Sequence, residues 1–141
     1  MRSENDLIMI GTITAIYPGE ATARVSFSDR DDSTSKELPI LFPRAKGIEV
    51  YAMPEVGEEV LCIFLPNGIE EGFVIGAYYN DVNKPPINDK NIKIIKFEDG
   101  NYIKYENGTF IIKGNVKVEG SVTANNFVGD VDGLCKGAHW W

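Results

Sequence analysis

The sequence predicts an all-β protein in two parts, a small closed barrel followed by a narrow β-helical needle that three chains build together. Three observations predict it. The apolar content is carried by Val, Ile, Phe, Tyr and Thr, which favour strands, and no i, i+3, i+4, i+7 pattern persists for three turns. Glycine and proline cut the first part, up to Asn83, into short strand-length runs. From Gly108 onward the chain repeats every six residues.

The first part reads as five strands. Leu7 to Ile16 is a β-rich run in which Gly11 suggests a bulge or bend. After the Pro18-Gly19 turn, Ala21 to Phe27 alternates small apolar and polar residues with period two, so one face is wet. Ser28 to Ser35 is polar and reads as an exposed loop. Leu38-Pro39-Ile40-Leu41-Phe42 reads as an edge strand, because a proline cannot donate to a ladder. Val56 to Leu65 leads through Pro66-Asn67-Gly68 into a returning strand, Glu71 to Tyr79. Five short strands with glycines at the bends suit a closed barrel of the OB type, and closure removes exposed edges.

Lys84-Pro85-Pro86 marks a linker, dividing a barrel domain at 1–86 from a needle at 87–141. Beyond it come a run at Ile92–Phe97, a turn at Glu98-Asp99-Gly100, a run at Tyr102–Tyr105 and then Asn107-Gly108. The hexads start at Gly108, Gly114 and Gly120, with a degraded copy from Asn126. Their third and fifth positions are apolar: Phe110 and Ile112, Val116 and Val118, Val122 and Ala124. Each repeat is therefore a short strand with one dry face, cornered at glycine or asparagine. A one-chain β-helix spends about three hexads per turn, so this stretch has nothing of its own to stack on. Three chains about a three-fold axis, each giving one wall of a prism, would bury the stripe.

Composition limits the function classes. Fourteen basic residues stand against 21 acidic ones, a formal net charge of −7, and no basic stripe is visible for neutralising phosphates. The opening Met1-Arg2-Ser3-Glu4-Asn5-Asp6 has no apolar signal-peptide core, and no apolar run approaches the ~20 residues that span a bilayer, so synthesis in the cytoplasm is expected. Two cysteines make no disulfide framework; Cys62, inside Val60–Leu65, reads as a small buried hydrophobe.

The opening Gly11-Thr12-Ile13, the arginine strand Ala23-Arg24-Val25-Ser26-Phe27, Leu38-Pro39, the block Tyr51 to Leu61 containing Pro54-Glu55-Val56-Gly57-Glu58-Glu59-Val60, and Gly72-Phe73-Val74-Ile75-Gly76 to Asn80 follow one another in a specific order. In that order they resemble the OB domain of phage baseplate assembly protein V, the central spike family of contractile injection systems, related to type VI secretion spike proteins. The resemblance implies a homotrimer on the baseplate axis beneath the tail tube of a phage or a tail-like bacteriocin. It is assembled into the virion or particle with tube and baseplate proteins, and it pierces the target cell envelope when the sheath contracts. It implies a structural protein, not an enzyme, with no small-molecule substrate. Two departures stand out. There is no room for the lysozyme domain some relatives carry, and the His-x-His tip of others is reduced to His139.

The candidate tip is His139, Trp140 and Trp141. Three His139 imidazoles on the axis would offer nitrogen ligands to iron or another transition metal, with Cys135 as a second ring of softer ligands. Against this stands an exposed terminal histidine with no special role. The two tryptophans would pack as an apolar plug or meet lipid. The run Asp29-Arg30-Asp31-Asp32 lacks the glycine and distal glutamate of a calcium loop and reads as solvated. Glu58-Glu59 and Glu70-Glu71 could be imagined as hydrolytic carboxylate pairs, but they flank strand starts and turns. The alternative function is an OB-fold binder of single-stranded nucleic acid, with Tyr17, Phe27, Phe73 and Tyr78 as stacking platforms, but such binders also need a basic groove. A hexapeptide-repeat acyltransferase would need more coils and a histidine between them.

Overall fold

A computed structural model describes residues 7–28, 33–66 and 71–130 of the chain. Among them lie eleven strands and no α-helix: β1 (Ile8–Tyr17), β2 (Thr22–Phe27), β3 (Ser33–Thr34), β4 (Leu38–Pro39), β5 (Ala45–Lys46), β6 (Ile48–Glu49), β7 (Glu59–Phe64), β8 (Gly72–Ala77), β9 (Lys93–Lys96), β10 (Tyr102–Glu106) and β11 (Thr109–Lys113). The chain divides into two compact units, 1–88 and 89–141.

In the first unit β1 is the central strand. It pairs antiparallel with β2 on one side, Ile13 opposite Val25, and with β7 on the other, Met9 opposite Cys62. β7 continues antiparallel into β8, and β2 into β4. The circuit closes where Ile40 bridges Val74 in parallel: the Leu41 N–H donates to Val74 O at 3.0 Å, and the Ile40 N–H to Ala21 O at 3.0 Å. The resulting order, β1-β2-β4-β8-β7 and back to β1, is a five-stranded OB barrel. Alternation fills its inside with Met9, Ile13, Val25, Phe27, Leu38, Val60, Cys62, Phe64 and Val74, all buried. Phe27 and Phe64 meet edge to face at 5.8 Å. Burial of side chains this size contributes ~1.5–3 kcal/mol each.

Three local expectations are corrected. Leu38–Phe42 is not an edge strand: Pro39 sits opposite Thr22 while the neighbouring N–H groups of Ile40 and Leu41 make the closing bonds, so the missing donor costs the ladder nothing there. The polar stretch 28–35 is not loop throughout, because Ser33–Thr34 pairs with Ser26 and Phe27. Next to it the buried Ser35 exchanges backbone and side-chain bonds with Val25, its N–H donating to Val25 O at 2.8 Å and its Oγ accepting from Val25 N at 3.0 Å. Third, the irregularity in β1 falls between Ile13 and Ala15, not at Gly11. Gly11 serves close approach instead: a Cβ there would stand 2.5 Å from Val25 Cγ1 and 2.6 Å from Ser26 O. The hairpin β5–β6, turning at Gly47 with φ +83°, was not expected from the sequence.

The second unit opens with an antiparallel three-stranded sheet in the order β11-β10-β9. β10 and β11 are joined by Asn107-Gly108, both at positive φ (51° and 80°), with Glu106 opposite Thr109. Two such residues form the two-residue turn whose twist suits a hairpin. The first hexad is thus the strand β11. Beyond it no strand is formed between 114 and 130 within the single chain.

Candidate functional site: an apolar assembly face

The register of the small sheet sorts its side chains. Ile103 stands opposite Ile112 on one side and Ile95 on the other, and Tyr105 stands opposite Phe110. These five share one face, with Lys93 at its edge opposite Tyr105; Ile94, Tyr102, Lys104, Glu106, Thr109, Ile111 and Lys113 occupy the other. On the polar face Lys104 pairs with Glu106 at 3.4 Å and lies over the Tyr102 ring at 5.2 Å. On the apolar face the Tyr105 and Phe110 rings meet at 4.9 Å, and among the described residues no further layer packs over them. Phe110 is 78% exposed and Ile95 63%. A soluble chain rarely leaves such a contiguous patch in water without a partner.

Of the residues expected to form a trimer core, Phe110 and Ile112 are brought together here. Val116, Val118, Val122 and Ala124 follow with the same parity along the chain and are exposed. Ile95, Ile103 and Tyr105 belong to the same face and were missed. Their runs, Ile92–Phe97 and Tyr102–Tyr105, are apolar-rich but break period-two alternation at Ile94-Ile95 and Tyr102-Ile103, so the face is readable only once the hairpin register is known. His139, Cys135, Trp140 and Trp141 lie outside the described residues. Among the described residues no group of three His, Cys, Asp or Glu side chains is placed to hold a metal ion.

The barrel carries a concavity of about 670 Å³ between the start of β7 and the end of β8, lined by Glu55, Glu58, Glu59, Tyr78, Tyr79 and Val82 among others. Two of its carboxylates, those of Glu58 and Glu59, hold loops. Glu58 Oε1 accepts the Glu55 N–H at 3.0 Å, and Glu59 Oε2 accepts from Asn80 Nδ2 at 2.7 Å. Asn80 Oδ1 in turn accepts the Val82 and Asn83 N–H groups at 2.9 and 2.7 Å. A hydrogen bond to Glu59, followed by burial and the carboxylate's charge, pushes the Tyr78 phenol up to about 12. Glu70 lies outside the described residues, and Glu71 faces Lys36 at 3.9 Å on the surface. Glu58 and Glu59 are each taken up by the loop contacts and do not face one another as a hydrolytic couple, and the Glu70-Glu71 pair falls partly outside the described residues.

The stacking platforms considered for single-stranded nucleic acid do not form a surface. Phe27 is in the core. Tyr17 accepts a hydrogen bond from Arg24 Nε at 3.1 Å, and Phe73 sits beside Ile63 on the outer wall. Cys62 is buried.

Residues 9–79, just over half of the chain and almost the whole barrel, match the family model described as the type VI secretion system/phage-baseplate injector OB domain. No curated protein sequence matches the chain.

Proposed function

The chain belongs to the type VI secretion/phage-baseplate injector OB-domain family, and from that premise we propose that it is the central spike of a contractile phage tail or tail-like bacteriocin. In this reading three chains meet through the apolar face of β9–β11 and the hexad stripe that continues it. The OB barrels join the spike to the baseplate and tail tube, and the needle is driven through the target envelope on contraction. The work is mechanical, done by shape and rigidity, with no catalytic step.

The observation that carries the proposal is the uncovered face of Ile95, Ile103, Tyr105, Phe110 and Ile112. Covering it contributes at most about 1.5–3 kcal/mol per side chain, in proportion to the area still exposed, a gain a lone chain forgoes. The 114–130 stretch points the same way: strands that find no ladder in their own chain find one in a neighbour's. A trimer carries −21 formal charge, three times −7, which favours solubility before assembly. At the tip, the reading sets His139 of each chain on the axis, where the three imidazoles would ligate iron or another transition metal, with Trp140 and Trp141 closing the apolar end; its support is the sequence alone.

Light scattering tests the assembly. The full chain is expected at three times its 15.6 kDa mass, and a chain ending at Pro86 at the mass of one. A full-length monomer overturns the proposal. Elemental analysis of purified trimer and of His139→Ala decides the metal.

A further inference from the structure

Outside the assembly face, the barrel itself has a wall that is apolar on both sides. β1, β7 and β8 bury Met9, Val60, Cys62, Phe64 and Val74 inward, yet over the stretch that ends at the pair of Thr12 and Glu59 their outward positions are also apolar. Ile63 stands between Ile8 and Phe73, and Ile10 stands opposite Leu61. Ile75, the extra residue at the β7–β8 irregularity, follows Val74 on the outward side. Ile8 is 65% and Ile10 51% exposed. The outward positions of β2 on the same barrel are Thr22, Arg24 and Ser26. The outer face of β2 is therefore dressed for water, and the wall of Ile8, Ile10, Leu61, Ile63, Phe73 and Ile75 is not. Strands apolar on both faces are those covered on both faces.

Charge selects the occupant. The unit 1–88 carries seven basic and 14 acidic residues, a net −7, whereas 89–141 carries seven of each and is neutral. All of the chain's excess negative charge thus belongs to the unit that bears the wall. A second barrel brought onto it would add −7 to −7. A subunit of opposite sign would gain attraction around an apolar centre. We propose that the wall formed by Ile8, Ile10, Leu61, Ile63, Phe73 and Ile75 is the barrel's docking surface for a different baseplate or tube subunit, whose contact patch is apolar at its centre and rimmed by lysine and arginine. The inference rests on the spike reading for where the barrel works, but not on the trimer.

Photo-crosslinking in the assembled particle tests it, with Ile63→benzoylphenylalanine on the wall and Ser26→benzoylphenylalanine on the polar half. The Ile63 position is expected to link to another baseplate or tube protein, at an apolar segment flanked by basic residues, and the Ser26 position not to. Links from Ile63 to a second copy of this chain, to an acidic segment, or to nothing overturn the proposal. In parallel, the double variant Ile10→Asp, Ile63→Asp is expected to keep the parent's mass in solution and to enter particles at least about tenfold less well, while Ser26→Asp enters normally. Unchanged entry of the double variant also overturns it. A monomeric full chain that still crosslinks through Ile63 would remove the spike reading and leave the docking wall standing.

Discussion

Glu59, at the start of β7, and Tyr78, just past the end of β8, are joined by a hydrogen bond that pushes the phenol's pKa from 10.0 up to about 12. The proton stays on the phenol because its loss would set a phenolate beside a carboxylate. The folded chain therefore retains this proton between about 10 and 12, where the unfolded chain has lost it. Stability from the contact is complete below pH 10 and is lost as pH rises through about 12. The phenolate absorbance of the folded protein should include a late-titrating contribution from Tyr78. Glu59→Gln should return that group toward the ordinary range. A tyrosine titration unchanged by Glu59→Gln would mean that the bond does not form.

Gly11 and Gly72 are required by space rather than by φ. A Cβ on Gly11 would meet Val25 Cγ1 at 2.5 Å and Ser26 O at 2.6 Å, and one on Gly72 would meet Ile63 O and, at 2.7 Å, Phe64 Cδ1. Both collisions involve backbone of a paired strand, which cannot step aside without opening the ladder. Gly11→Ala and Gly72→Ala should each destabilise the barrel by roughly 1–3 kcal/mol, the cost of overpacking. Gly19→Ala, where nothing lies within 4 Å, is the control. Urea unfolding of the three variants checks the ranking.

Ala21 presents the opposite case. It adopts φ +54° in the turn between β1 and β2, with its N–H donating to Pro18 O at 3.4 Å. An alanine in the left-handed region costs ~1–2 kcal/mol that glycine avoids, offset in part by glycine's greater freedom when unfolded. Ala21→Gly should therefore raise stability by about 0.5–1 kcal/mol, seen as a higher urea midpoint at unchanged slope. A lower midpoint would show that the turn is not held in this conformation.

The strand β2 was legible because it turns one clear face inward: Ala23, Val25 and Phe27 alternate with Thr22, Arg24 and Ser26. Barrel closure was not. The rule that proline marks an edge is sound for Pro39 itself, but the closing bonds belong to Ile40 and Leu41, and one residue's missing donor says nothing about its neighbours. Ser35 was hidden for a different reason. A buried serine that satisfies Val25 in both directions looks, in sequence, like one more polar residue in a polar run. In the second unit the alternation at Phe110 and Ile112 gave the dry face, but Ile95, Ile103 and Tyr105 joined it only through register. The apolar outer wall was visible as continuous runs, Leu7-Ile8-Met9-Ile10 and Val60 to Leu65, and was absorbed into the barrel core, since alternation cannot be read where both faces are apolar.

Ile112 offers the sharpest test of assembly, because its two neighbours across the sheet fix its direction. It stands opposite Ile103, which stands opposite Ile95, on the face away from Lys104 and Lys113. Ile112→Asp would place three carboxylates in the centre of a trimer, and an unpaired buried charge costs several kcal/mol. At 1.4 kcal/mol per tenfold, the trimer should be weakened by at least about a hundredfold. Thr109→Asp puts the same charge on the same strand but on the opposite face, at an exposed residue beside the β10–β11 turn, so its trimer should keep its mass. The barrel forms a separate compact unit, and its thermal transition should survive in both variants. An Ile112→Asp protein that remains trimeric would mean that the chains meet through another surface, and the hexad stripe beyond Gly114 would then be the next place to charge.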